Sequence, residues 1–213
     1  MIMFTRLPYF SRGTILALCS LVLAVLLVSC GGGGTSGTTS TPTPVPTPTS
    51  PPATPTATTA AMTSFQGNGF TMSYPQNWQT TKKANNIFTF TDSTGNIKMV
   101  ITVAPDPNGA ISADSVASAA LQAARVLLKN SQTVSVPSTT TAGGDSWSQV
   151  SASGTQRLNN QDTNIQVVVL AVVHPANTPL SKSYTILYQA PVATFSQDNT
   201  SYFQPMLQSF KFS

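Results

Sequence analysis

Ile165-Gln166-Val167-Val168-Val169-Leu170-Ala171-Val172-Val173 holds a single polar side chain in nine positions. An amphipathic helix would repeat its apolar residues with a period near 3.6, and a half-buried strand would alternate them with polar ones. This run does neither. It has strand length and β-branched composition, and its apolar residues point to both sides, so it reads as the central strand of a sheet covered on both faces.

Neighbouring segments supply the rest of that sheet. Residues 145–153 alternate around Trp147 and Val150, and residues 183–188 form another strand on the far side of the apolar run. Upstream, Phe70-Thr71-Met72-Ser73-Tyr74 alternates with period 2 until Pro75 stops it, and Trp78 follows a short turn. Residues 87–90 and 97–103 read as two more strands joined through Asp92-Ser93-Thr94-Gly95-Asn96.

Two segments have helical spacing. In residues 112–129, Ser112 is a natural N-cap, Asp114 meets the positive end of the helix dipole and Lys129 lies near the negative end. Val116, Ala120, Ala123 and Leu127 are expected on the face that meets the sheet, flanked by Leu121 and Leu128. Tyr202, Phe203, Met206, Leu207 and Phe210 suggest a terminal helix capped by Asp198, which Pro205 must start or bend. Strands, helix, antiparallel strands and helix, in that order, define an α+β domain with a mostly antiparallel sheet.

That domain occupies residues 64–213. Before it, residues 1–14 carry Arg6 and Arg12 and no acid, and residues 15–28 are almost wholly apolar but shorter than the ~20 residues a spanning helix needs. Leu27-Val28-Ser29-Cys30 closes this run and resembles the lipobox of bacterial lipoproteins. The resemblance implies a signal peptide over residues 1–29, cleavage between Ser29 and Cys30, and acylation of Cys30, which would hold the chain to a lipid membrane outside the cytoplasm. Residues 30–63 run from Gly31-Gly32-Gly33-Gly34 into alternating Thr and Pro, a composition that favours polyproline II over a packed state. They read as a disordered, semi-rigid tether.

Composition narrows the function. The chain has ten Lys and Arg and six Asp, with no Glu; two of the ten, Arg6 and Arg12, belong to the leader, which leaves eight. These are scattered, Lys82-Lys83 being the one adjacent pair, so the basic stripe of a nucleic-acid reader is missing. Cys19 lies in the leader, so processing would leave Cys30 alone, with no intramolecular disulfide and no Cys-rich metal site. Neither dinucleotide and phosphate loops nor paired metal ligands occur, and no cofactor is implied.

Gly69-Phe70-Thr71-Met72-Ser73-Tyr74-Pro75 with Trp78, and the ending Leu207-Gln208-Ser209-Phe210-Lys211-Phe212, resemble the opening and close of PsbP-like domains, among them LpqN-type lipoproteins. The resemblance implies an α/β/α sandwich with a central sheet flanked by helices. Members of that family bind diverse partners, so the shared fold transfers no single function.

Candidate chemistry is sparse. His174 ends the apolar strand as the chain's lone histidine, and Trp147 abuts a glycine turn; these two are the residues most open to a ligand role. Trp78, Phe88 and Phe90 read as core. Gly144-Asp145-Ser146 resembles the nucleophile block of SGNH hydrolases, but the Asp-x-x-His expected near the end is absent, and a hairpin turn explains it. A hydrolase would need Asp145 or Asp162 beside His174, with Ser146 in reach. The expectation is a non-catalytic binding or interaction module, acting on a cell-surface protein or a small apolar ligand; the alternative is a carrier of a lipid or glycan in an aromatic cavity. Replacing Cys30 with Ser should abolish incorporation of labelled palmitate and move the protein from the membrane to the soluble fraction of fractionated cells.

Overall fold

The computed structural model describes residues 60–83 and 86–213. The leader, the Ser29–Cys30 junction and the tether up to residue 59 lie outside the described residues.

The apolar run belongs to β9 (Gln161–His174), and it is buried on both sides as expected. Val168, Leu170 and Val172 enter one core, while Ile165, Val167, Val169 and Ala171 enter the other. Around it lies an eight-stranded sheet in the order β3-β4-β5-β10-β9-β8-β6, with β7 also paired to β8 and every pairing antiparallel. Its members are β3 (Gln79–Lys83), β4 (Ile87–Thr91), β5 (Lys98–Pro105), β6 (Lys129–Thr133), β7 (Thr139–Ala142), β8 (Asp145–Leu158) and β10 (Lys182–Pro191). Both edges are short and polar: β3 reads Gln-Thr-Thr-Lys-Lys and β6 reads Lys-Asn-Ser-Gln-Thr, with a register shift between Lys129 and Gln132.

One face is covered by α1 (Ala113–Arg125), which crosses from β5 to β6 over β8, β9 and β10. Ser112 caps it as expected, its hydroxyl accepting the Ser115 N–H at 3.3 Å, and Asp114 lies in the first turn. Two expectations for this helix are corrected. The helix ends at Arg125, so Lys129 starts β6 instead of meeting the helix dipole. Its inward face is Ala117 and Leu121, with Val116, Ala120 and Ala124 half-buried, whereas Ala123 is exposed and Leu127 is 66% exposed. So many alanines give the stripe little contrast in sequence. Past Arg125 the helical phase is lost, which turns Leu127 outward and Leu128 inward.

The opposite face carries a mixed layer. A small sheet of β1 (Met62–Gln66), β2 (Phe70–Pro75) and β11 (Lys211–Phe212) packs there with the C-terminal helical segment. β1 begins two residues before the expected domain start at 64, because Met62 and Thr63 pair with Pro75 and Tyr74. Phe65 sets its edges against Phe88 at 5.5 Å and Phe90 at 5.0 Å between centroids. The terminal helix is irregular, as Pro205 requires: α2 (Phe195–Asp198), a π turn over Asn199–Phe203, then α3 (Gln204–Ser209) with the proline in its first turn. Asp198 is not the cap of this segment; it ends α2, where it accepts the Thr194 hydroxyl at 2.7 Å. Phe203, Met206, Leu207 and Phe210 are buried in the core.

The domain is thus α+β with a mainly antiparallel sheet, one helical face and one mixed face. Among the described residues, both cores and every strand pairing belong to one compact unit. Leu121→Ala removes a side chain 6% exposed against the sheet and should cost about 2–5 kcal/mol in urea unfolding, whereas Leu127→Ala should stay within about 0.5 kcal/mol.

Candidate functional site

Three strands of the large sheet, β8, β9 and β10, and β11 of the small sheet come together at one end of the large sheet. β8 and β9 pair with Ser148 opposite Ala171, a register that continues outward to bring Asp145 opposite His174. The imidazole Nδ1 and the Asp145 carboxylate lie 2.6 Å apart, with both side chains about one-third exposed. A carboxylate accepts, so Nδ1–H donates, and Nε2 makes no hydrogen bond to any described residue.

β10 adds the next groups. Lys182 is the direct partner of His174, and cross-strand partners project to one side of a sheet. Tyr184, two residues on, shares that side. The Lys182 ammonium donates to the Asn68 amide oxygen at 3.0 Å, and the Tyr184 hydroxyl donates to the Gly69 carbonyl at 3.3 Å. Burial raises the Tyr184 pKa, so the hydroxyl keeps its proton at neutral pH. Gly69 has φ +80°, and a Cβ there would lie 2.5 Å from the Tyr184 oxygen, so both backbone and space demand glycine.

β11 supplies the floor. Phe212 pairs with Phe70 of β2, and the Ser213 N–H donates to the Gly69 carbonyl at 3.1 Å. The Phe212 ring lies parallel to His174 at 3.7 Å between centroids and 6° between planes. Trp147 is near-parallel to Phe212 at 6.1 Å, and Tyr184 meets it edge-on at 5.1 Å. His174, Pro175, Leu180, Lys182, Tyr184, Phe212 and Ser213 line an open groove of about 490 Å³, within the size range of small-molecule sites. Leu180 is 79% exposed at its rim.

The two residues singled out from sequence have different places. His174 lines the groove. Trp147 is 0% exposed, its indole N–H donates to the Ala142 carbonyl at 2.8 Å, and it packs behind Phe212 within the core. Trp78, Phe88 and Phe90 are core, as expected. Gly143 and Gly144 both have positive φ, which bears out the hairpin-turn reading of the Gly-Asp-Ser block. Of the two acids considered for His174, Asp145 reaches it, while Asp162 pairs with Lys129 at the other end of β9, about 40 Å of strand away. Ser146 is exposed and follows Asp145 directly in β8, so it points to the opposite face and completes no triad. Among the described residues no group of three His, Cys, Asp or Glu comes together to hold a metal, and no helix is long and apolar enough to cross a membrane.

Phe212, Leu180, Lys182 and Tyr184 were missed by sequence reasoning. A two-residue strand has no periodicity, but an isolated leucine within the polar loop Asn177-Thr178-Pro179-Leu180-Ser181 was a usable signal.

No protein-family model matches the chain, and no curated protein matches it. Among solved structures it is similar to LpqN, described as involved in cell envelope biogenesis of Mycobacterium tuberculosis, at 15% identity and a TM-score of 0.44, over 72% of this chain and 91% of that one. It is also similar to a protein from Bacteroides thetaiotaomicron at 10% identity and a TM-score of 0.44, over 73% of this chain and 49% of that one. Likenesses at this level transfer neither activity nor partners.

The histidine is the chain's only one, so its ring protons are identifiable without assignment of the whole spectrum. Stacked on Phe212, they should resonate upfield of free imidazole in proton NMR, and Phe212→Leu should move them back downfield.

Proposed function

We propose that this chain is an extracytoplasmic lipoprotein, held to a membrane by acyl chains on Cys30, whose PsbP-like domain is a non-catalytic binding module working through the His174 groove. The observation that carries this reading is polarity along the small sheet. The chain enters that sheet where Met62 pairs with Pro75 and the Ala61 carbonyl accepts the Gln76 N–H at 2.8 Å. The groove opens at the other end, where Gly69, Phe70 and Phe212 meet, about 13 Å along β1. A module on a spacer rooted at one end is served by a binding surface at the other.

An acylated cysteine suits this arrangement, because two or more acyl chains anchor stably at ~0.8 kcal/mol per buried methylene. The alternative, a carrier that encloses a lipid or glycan, asks for aromatic side chains around a cavity. Trp78, Trp147, Phe88 and Phe90 are each at most 6% exposed, which favours the open groove. The outward orientation of Ser146 favours a non-catalytic role, since the His174–Asp145 pair then has no hydroxyl nucleophile from that block to activate.

Native mass spectrometry of residues 60–213, after incubation with envelope extract of the source bacterium, tests the reading. A retained small molecule or protein that is lost in Leu180→Asp is the expected result. Retention unchanged by that substitution would place binding elsewhere and sink the groove as the working surface.

A further inference from the structure

We infer that the turn closing α1, Arg125-Val126-Leu127-Leu128-Lys129, rests the domain on the anionic head groups of the membrane that holds Cys30; this depends on the acyl anchor proposed above. The turn itself needs one of its three aliphatic residues. Leu128 points inward against Gly154, where a Cβ would lie 2.9 Å from the Leu128 Cβ. Val126 and Leu127 belong to neither core and stand side by side, 84% and 66% exposed, between exposed polar neighbours at Gln122 and Asn130. A lone exposed leucine is ordinary, but two adjacent aliphatic side chains held almost wholly in water gain free energy when an apolar phase covers them.

Charge around the pair selects the covering surface. Arg125 and Lys129 flank it in sequence; Lys129 pairs with Thr155 of β8, and Arg157, two residues along, is exposed on the same side of that strand. The acid among them is Asp162, opposite Arg157 and 3.6 Å from the Lys129 ammonium, so three cations meet one carboxylate. Two further acids are engaged within their own turns: Asp92 accepts the Ile97 N–H at 2.9 Å, and buried Asp198 accepts the Thr194 hydroxyl at 2.7 Å. Aliphatic side chains ringed by cations match the boundary of an anionic bilayer, where hydrocarbon enters and the charged heads stay at the phosphates. The position fits as well. Through Thr155, Lys129 is level with Asn164, ten residues along β9 from His174, which puts the turn about 33 Å from the groove end. The chain also enters the domain away from the groove, at Met62, so docking by this turn holds the groove outward. From Cys30 to residue 59 the chain spans up to ~90 Å at ~3.1 Å per residue, which brings the turn within reach of the lipid. The anchor makes the contact intramolecular, so a small patch suffices.

The test uses the full chain with its lipid anchor, carrying Leu127→Trp, in vesicles of phosphatidylcholine and phosphatidylglycerol whose acyl chains are brominated to quench any indole they touch. Trp78 and Trp147 are at most 6% exposed and give a constant background, and the exposed position 127 tolerates the new ring without loss of the fold. Leu180→Trp, at the groove rim, is the control. Bromolipid should quench Leu127→Trp and shift its emission to the blue, leave Leu180→Trp unchanged, and lose its effect when Val126→Asp is added. Phosphatidylcholine alone should weaken docking about fivefold for each cation engaged. Quenching at 127 that is indifferent to phosphatidylglycerol would overturn the anionic partner, and equal quenching at 127 and 180 would overturn docking by this turn. A chain that floats with the vesicles but shows no quenching at 127 would overturn the docking and keep the anchor, leaving the exposed pair to a protein partner. A chain that does not float would overturn the anchor and the docking with it.

Discussion

Burial of β9 on both faces governs the rest of the molecule. From Val167 to Val172 no side chain is more than 6% exposed, and successive residues point to opposite sides. Such a strand is stable only if each face of the sheet is roofed, so the chain must deliver two layers from segments far apart in sequence. The β5 to β6 crossover delivers one as α1. The other needs both termini of the domain at once: the β1–β2 hairpin and the helical segment ending in β11.

The groove follows from that requirement. Where the apolar run stops, β9 no longer has a roof, and its last residue is His174. β11 reaches this position because Phe210 is locked in the core, stacked on Phe70 at 5.2 Å, and the next residues pair with β2. One turn of phase in the terminal helix would therefore move Phe212 off the imidazole. The π turn over Asn199–Phe203, which adds a residue to the helical repeat, precedes Phe210 in this segment. The site is thus built from strand ends of β8, β9, β10 and β11, none of which has it alone.

Much of the fold was legible in the residues. β2, β4, β5, β8, β9 and β10 declare themselves through alternation or continuous apolarity, and Ser112 marks the start of α1. β3, β6 and β7 do not, because Thr, Ser, Gln and Lys at edges form strands by pairing with a neighbour rather than by burying a face. Helix α1 was found with the wrong face, since alanines on several sides blur an apolar stripe. In the site, His174 was legible as the lone titratable imidazole at a strand end. The role of Trp147 was not, because exposure next to a glycine turn depends on what β11 brings back over it. Lys182 and Tyr184 were invisible as a pair with His174 until the register of β9 and β10 was known.

The polar, shortened edges of the large sheet have a consequence for life in a crowd. On one side β3 ends in lysines, with the Lys82 ammonium 5.7 Å from the Phe88 ring centre; on the other, the outer edge of β8 is split between β6 and β7 and interrupted by a register shift. A second molecule looking for an unpaired backbone ladder in this sheet meets the Lys82 cation on one flank and a broken template on the other. Many copies packed side by side on a surface would therefore resist fusing into a continuous sheet.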